Sequence, residues 1–113
     1  MKKTLCLIVL AFFSQSLWAQ YTVNGNAAQI TCNEYRLTNA INTQTGSVWN
    51  NIKINLTQSF DFNFDVFLGS NNSPGADGIA FVLQPISTSV GTSGSGLGYE
   101  GIMPAVGVTI DTY

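Results

Sequence analysis

The sequence is poor in the groups that most enzymes and nucleic-acid-binding proteins use. It contains no histidine among its 113 residues, which excludes a Ser-His-Asp triad and a His-ligated zinc site within this stretch. Only four Lys and Arg residues are present, against six Asp and Glu residues. Nucleic acid is bound by clustered basic side chains that displace counterions, so it is not an expected partner. The composition is compatible with neutral ligands and with cations.

Cysteine occurs only at Cys6 and Cys32, and Cys6 lies in a predicted signal peptide, residues 1–19. Two lysines precede an apolar run that ends before a small-residue cleavage site,. The run is too short to span a bilayer, so we expect a secreted or cell-surface protein without a membrane span. Cleavage leaves two basic and six acidic residues, a formal charge of −4. Cys32 would then need a partner on another chain or beyond Tyr113.

Alternating apolar and polar residues predict strands along the rest of the chain. The clearest pattern lies at residues 59–68, where Phe60, Phe62 and Phe64 share one face while acidic and amide side chains take the other. Period-two alternation is typical of a strand with one face in a core. No segment has helical periodicity, and short strands between Gly-rich turns indicate an all-β sandwich or barrel. Further strands are predicted near 30–32 and 35–38, from 46 to 56, at 78–83 (covered on both faces) and at 105–112.

Three motifs follow one another in the second half of the sequence. Residues 76–78, Ala-Asp-Gly, open an apolar strand, a Ser-, Thr- and Gly-rich loop ends in Gly-Leu-Gly at 96–98, and residues 106–113 read Val-Gly-Val-Thr-Ile-Asp-Thr-Tyr. This order resembles the legume-type (L-type) lectins, whose pattern is Ala-Asp-Gly with an apolar strand, a Gly-Gly-x-Leu-Gly loop, then Val-x-Val-Glu-x-Asp-Thr-aromatic. Residues 46–49 and 59–62 are also similar to early strands of that family. The likeness extends to lectin modules at the N-termini of large exported bacterial surface proteins.

The resemblance implies a fold and a domain organisation. The fold would be a concanavalin-like antiparallel β-sandwich (jelly roll), with residues 20–113 forming its N-terminal part after the signal peptide at 1–19. The sequence stops inside a β-rich run, so we expect more of this domain, and further domains of the same protein, after Tyr113. Such a module is expected to bind a carbohydrate or glycoconjugate and to have no enzymatic activity.

The resemblance also implies sugar-binding residues. Asp77 matches the family's sugar-binding Asp, which accepts hydrogen bonds from two adjacent sugar hydroxyls. In the family the peptide bond before this Asp, here Ala76–Asp77, is cis. Gly96 matches the loop Gly whose backbone N–H donates to the sugar, at a place where a side chain would block close approach. Ser95 and Gly98 are alternatives for this role because the loop length is not fixed.

A calcium site is implied by the same resemblance. Asp111 matches the Asp that bridges the family's two metals, and Tyr113 matches the aromatic position that offers its backbone carbonyl to calcium. Carboxylate and carbonyl oxygens are the ligands that Ca²⁺ prefers. Thr109 departs from the pattern, since plant members carry there a Glu that ligates a transition metal. A Thr hydroxyl is a poor substitute, which makes the manganese site doubtful and leaves a calcium-only site.

Two other functions stay open at this point. A glycoside hydrolase on a related β-sandwich needs two carboxylates at a set separation, on a strand reading Glu-x-Asp-x-x-Glu, and Thr109 takes the first Glu position. The other is a structural adhesin module in which Asp77 and Asp111 hold calcium or nothing. Specificity in this fold comes from loops after Tyr113, so the sugar itself is not specified by these residues.

Overall fold

The computed structural model describes residues 20–70 and 75–112. The predicted signal peptide, residues 1–19, and the predicted calcium ligand Tyr113 lie outside the described residues. No helix in the described part of the chain is long and apolar enough to cross a membrane.

The described chain consists of short strands joined by turns and irregular segments, with no α-helix. One turn of 3₁₀-helix lies at Gly94–Gly96. The strands are β1 (Tyr21–Gly25), β2 (Ala28–Thr31), β3 (Glu34–Arg36), β4 (Gly46–Asn50), β5 (Gly78–Leu83) and β6 (Val106–Asp111). The all-β class predicted from the pattern is therefore confirmed for these residues.

The strands pair into three two-stranded antiparallel sheets. β1 pairs with β4, with Tyr21 opposite Asn50, and β2 pairs with β3 across a register irregularity. β5 pairs with β6 over six residues, with Gly78 opposite Asp111. The two strands of this third pair are separated by 22 residues, and the loop between them packs on β6 through Tyr99.

The prediction of a strand at residues 59–68 is wrong. These residues have no strand pairing with any described segment. Alternation within one segment shows which side chains share a face, but it does not show which other segment, if any, forms the hydrogen bonds of the ladder. The shared face itself is confirmed. Phe62 and Phe64 both contact Phe81 of β5, with ring centroids 5.8 and 5.3 Å apart, and Phe60 lies 5.9 Å from Phe62.

Other strand predictions are confirmed with different bounds. The strands near 30–32 and 35–38 correspond to β2 and β3, although Cys32 lies in the turn between them and is exposed. β4 ends at Asn50, so the continuation of that strand to residue 56 is wrong. Ile52 and Leu56 are each 68% exposed, and no strand partner aligns them. β1 was not predicted, because its five residues contain few apolar side chains.

No residue of the described segments is fully buried. β5 is half-buried from Ile79 to Leu83, and its one paired neighbour among the described residues is β6. The prediction that this strand is covered on both faces is therefore wrong for the described residues. Its apolar run still collects the aromatic contacts from the segment at 59–68, which makes β5 the best covered part of the β5–β6 pair.

Candidate functional site

The register of β5 and β6 brings two acidic residues to the same end of one sheet. Asp111 is the last residue of β6 and lies opposite Gly78, the first residue of β5. One step further, the backbone N–H of Thr112 donates to the carbonyl oxygen of Asp77, over 3.2 Å. Asp77 is half-buried and Asp111 is exposed. Two residues 34 positions apart along the chain are thus neighbours across a single ladder.

The backbone around Asp77 follows the arrangement that the resemblance implied. The peptide bond between Ala76 and Asp77 is cis. Gly78 has a φ of +136°, and a Cβ placed there would overlap the carbonyl oxygen of Ile110 and lie 3.0 Å from the Cα of Asp111. The backbone of β6 therefore passes so close to residue 78 that only glycine fits without a shift.

The Gly-rich loop, residues 92–100, is closed by backbone hydrogen bonds. The N–H of Thr92 donates to the carbonyl of Gly98 over 3.2 Å, which closes the loop at its base. Within it, the N–H groups of Tyr99 and Glu100 both donate to the carbonyl of Gly96, each over 3.1 Å. Leu97 takes the left-handed conformation, with a φ of 46°, and its N–H donates to Gly94. Gly96 is thus held at the turn of the loop.

This loop lies on one face of β6. A Cβ at Gly107 would be 3.0 Å from the Cζ of Tyr99, so the phenol ring covers the strand at that residue. The side chains of Thr109 and Asp111 point to the face on which a Cβ at Gly107 would lie, because residues two apart in a strand do so. Asp111 is about 7 Å further along that face than Thr109, at roughly 3.4 Å per residue. The loop and Asp111 therefore share a face of the sheet.

An open depression of about 420 Å³ lies between the loop and the strand. Its lining combines backbone, hydroxyl and carboxylate groups: Ser95, Gly96, Leu97, Tyr99, Glu100 and Thr109. Both Ser95 and Gly96 contribute, whereas Gly98, the other alternative for the amide donor, does not. Asp77 and Asp111 are also outside this lining. Sugar hydroxyls need such donors and acceptors on an accessible surface.

Glu100 was missed by the sequence reasoning. A Cβ at Gly96 would lie 2.6 Å from both the Cβ and the Oε2 of Glu100, so this side chain stands directly over the glycine. The signal in the sequence is the four-residue separation within a tight turn, which the motif match did not use. The carboxylate of Glu100 adds a second acidic group to the side of the sheet that carries Asp111.

Of the two calcium ligands that the resemblance implies, only Asp111 lies among the described residues. Across residues 20–70 and 75–112, no group of three or more His, Cys, Asp and Glu side chains is arranged to hold a metal ion. Asp111 and Thr109 offer oxygen atoms only, which is the kind of donor that Ca²⁺ takes and that soft metals do not prefer. The residues present fit calcium in the type of their donors.

A family model for the legume lectin beta-barrel domain matches residues 13–113. The chain belongs to the L-type lectin family. The fold is accordingly a concanavalin-like β-sandwich, in agreement with the antiparallel strands and the absence of α-helix in the described residues. This is a family of carbohydrate-binding, non-enzymatic domains. No solved structure gives a significant match.

A relative of this L-type lectin domain among curated proteins is the pesticidal crystal protein Cry22Aa of Bacillus thuringiensis. The two are 38% identical over 95 residues, which are 82% of this chain and 13% of the relative. The chain therefore spans about one eighth of that relative's length. The similarity concerns this segment, and the rest of the larger protein has no counterpart in the 113 residues.

Proposed function

We propose that the chain is a calcium-dependent carbohydrate-binding module of a secreted or cell-surface protein, acting in glycan recognition or adhesion. The observation that carries this proposal is the β5–β6 register, which sets Asp77 beside Thr112 and Asp111 opposite Gly78. The carboxylate of Asp77 can accept hydrogen bonds from sugar hydroxyls. The carboxylate of Asp111, at the same end of the sheet, can bind a hard cation such as Ca²⁺.

The residues divide into two roles under this proposal. The carboxylate of Asp77 accepts hydrogen bonds from two adjacent sugar hydroxyls, and the backbone N–H of Gly96 donates to the same sugar. Asp111, with the backbone carbonyl of Tyr113, would hold the calcium ion. The positive charge of the ion would attract the neighbouring carboxylates and so hold them in position. Thr109 in place of a Glu argues for calcium without a second, transition metal.

The shape of the site sets the expected affinity. The depression beside Gly96 is open to solvent, so one sugar would leave much of its surface in water. A dissociation constant around 1 mM, or about −4 kcal/mol, is expected for a single site. Useful retention on a glycan-covered surface would then depend on several copies binding at once.

The test uses the full-length protein on immobilised glycans that end in mannose, galactose or N-acetylglucosamine. We expect binding in the presence of calcium chloride, loss of binding in EDTA, and recovery when calcium is restored. Asp77→Asn should abolish binding, because it replaces one of the two acceptor oxygens of the carboxylate by an NH₂ group, which can only donate. Asp65→Asn, which makes the same charge change at an exposed residue of the segment at 59–68, is the matched control.

Two outcomes would contradict the proposal. One is undiminished glycan binding by Asp77→Asn, which would remove the assigned chemistry. The other is calorimetry that detects calcium binding while no glycan of the panel is retained, which would favour a structural adhesin module. Release of reducing sugar from a polysaccharide would instead point to the hydrolase alternative.

A further inference from the structure

Three side chains of the β1–β4 sheet donate hydrogen bonds to the segment that leads into the Gly-rich loop. The side-chain amide of Asn24 donates to the carbonyl of Thr88 over 2.8 Å. The indole Nε1–H of Trp49 donates to the carbonyl of Val90 over 2.9 Å, and the hydroxyl of Ser47 donates to the same carbonyl over 3.3 Å. All three donors are half-buried.

The three donors share one face of their sheet. Asn24 lies directly opposite Ser47 in the ladder, and its amide also donates to the Ser47 hydroxyl over 3.2 Å. Trp49 is two residues beyond Ser47 on the same strand. Opposed residues and residues two apart point to the same side. The sheet thus presents a row of donors to carbonyls that are 41 to 64 positions away in sequence.

The contact continues from these carbonyls to Gly96 without a long free segment. A Cβ at Gly91 would lie 3.4 Å from the hydroxyl oxygen of Ser47, so the chain stays against the sheet at that residue. The next residue, Thr92, closes the loop through its hydrogen bond to Gly98. The closed loop then holds Gly96 through the two bonds that its carbonyl accepts.

We infer that Trp49, assisted by Ser47 and Asn24, positions the loop that carries Gly96 for sugar binding. This inference rests on the proposed function, in which Gly96 donates its backbone N–H to the sugar. A loop rich in glycine and serine has much conformational freedom to lose on binding, and ordering it beforehand improves affinity. Trp49 acts through the loop and does not itself contact the ligand.

The experiment compares variants of the full-length protein by hydrogen–deuterium exchange and by binding to the glycan panel above. Trp49→Phe removes the N–H donor and keeps an aromatic ring, and the Ser47→Ala/Trp49→Phe double variant leaves the Val90 carbonyl without either donor. Thr57→Val is the matched control, because it removes a 2.8 Å side-chain bond to Asn55 that lies outside the β1–β4 sheet and does not reach the loop.

Trp49→Phe should speed exchange of the loop amides at 92–99 by about three- to tenfold, the effect of losing one hydrogen bond. The double variant should exceed it. Glycan dissociation constants should rise by about the same factor, while calcium affinity and exchange in β5 and β6 stay at wild-type values. Thr57→Val should leave loop exchange and glycan binding unchanged. A general loss of stability would raise exchange in the strands as well, so it is distinguishable.

Unchanged loop exchange in both Trp49→Phe and the double variant would overturn the inference, as would an equal rise in the loop, β5 and β6. If Trp49→Phe does not fold, Asn24→Leu tests the same anchor at the Thr88 carbonyl with a side chain of similar size. A wild-type protein that binds no glycan of the panel refutes the proposed function, and loop exchange still decides whether the anchor exists.

Discussion

Replacing Gly78 with alanine tests whether the close approach of β5 and β6 builds the site. A Cβ at this residue would overlap the Ile110 carbonyl oxygen and lie 3.0 Å from the Asp111 Cα, and both obstacles are backbone atoms that cannot rotate away. Forcing a methyl group into a packed position costs about 1–3 kcal/mol, and a side chain at positive φ adds roughly 1–2 kcal/mol. We therefore expect Gly78→Ala to lower the free energy of unfolding by about 2–5 kcal/mol.

The control for this change is Gly69→Ala. Gly69 also has a positive φ, +89°, but a Cβ there meets nothing within 4 Å, so only the backbone cost of about 1–2 kcal/mol applies. Urea denaturation of the full-length protein measures both variants. Since a domain is stable by only about 5–15 kcal/mol, the difference is readily resolved. Equal stability of the two variants would refute the argument that steric contact with β6 requires glycine at residue 78.

Four further changes have defined expected outcomes. Gly96→Ala places a methyl group 2.6 Å from the Glu100 Cβ and over the proposed amide donor, so glycan binding measured on the panel should fall at least about tenfold; unchanged binding would exclude Gly96 as the donor. Glu100→Gln removes a carboxylate from the depression, so competition assays should show weaker binding of glucosamine, which carries an ammonium group, relative to glucose. Phe81→Ala removes the ring that contacts Phe62 and Phe64, and urea denaturation should show a loss of about 2–3 kcal/mol, below the value for a fully buried ring. Thr109→Glu supplies the missing carboxylate, so calorimetry should detect Mn²⁺ binding that the wild-type protein lacks; no gain would place residue 109 away from the metal site.

The hydrophobic pattern of the sequence predicted two of the strands well. The apolar run at 78–83 and the alternating residues at 105–112 predicted β5 and β6 almost to the residue. The segment at 59–68 has the stronger alternation, yet it forms no ladder with a described strand. β1, with its weaker pattern, is a strand because β4 pairs with all five of its residues. Strand pairing depends on two segments, whereas a hydrophobic pattern describes a single segment.

The candidate site was predictable to a similar extent. Asp77 and Asp111 were identified through the resemblance to L-type lectins, but nothing in the sequence alone states that they are neighbours. The β5–β6 ladder supplies that relation. Glu100 and the anchoring bond of Trp49 were not predicted, because each depends on how a loop without periodicity folds back. Such contacts follow from turn geometry and from donors on another sheet.

The register of β5 and β6 determines which residues of β6 share a face with the Gly-rich loop. A slip by one residue would turn every side chain of β6 to the opposite face, so that Asp111 and Thr109 would both leave the face that now carries the loop. At Gly78, opposite Asp111, the backbone of β6 leaves no room for a Cβ, and a larger residue could occupy that position only by separating or shifting the strands. Gly78 therefore fixes the register as well as the spacing. For this reason Gly78→Ala should weaken calcium affinity together with stability, whereas Gly69→Ala should leave calcium affinity unchanged in the same calorimetric titration.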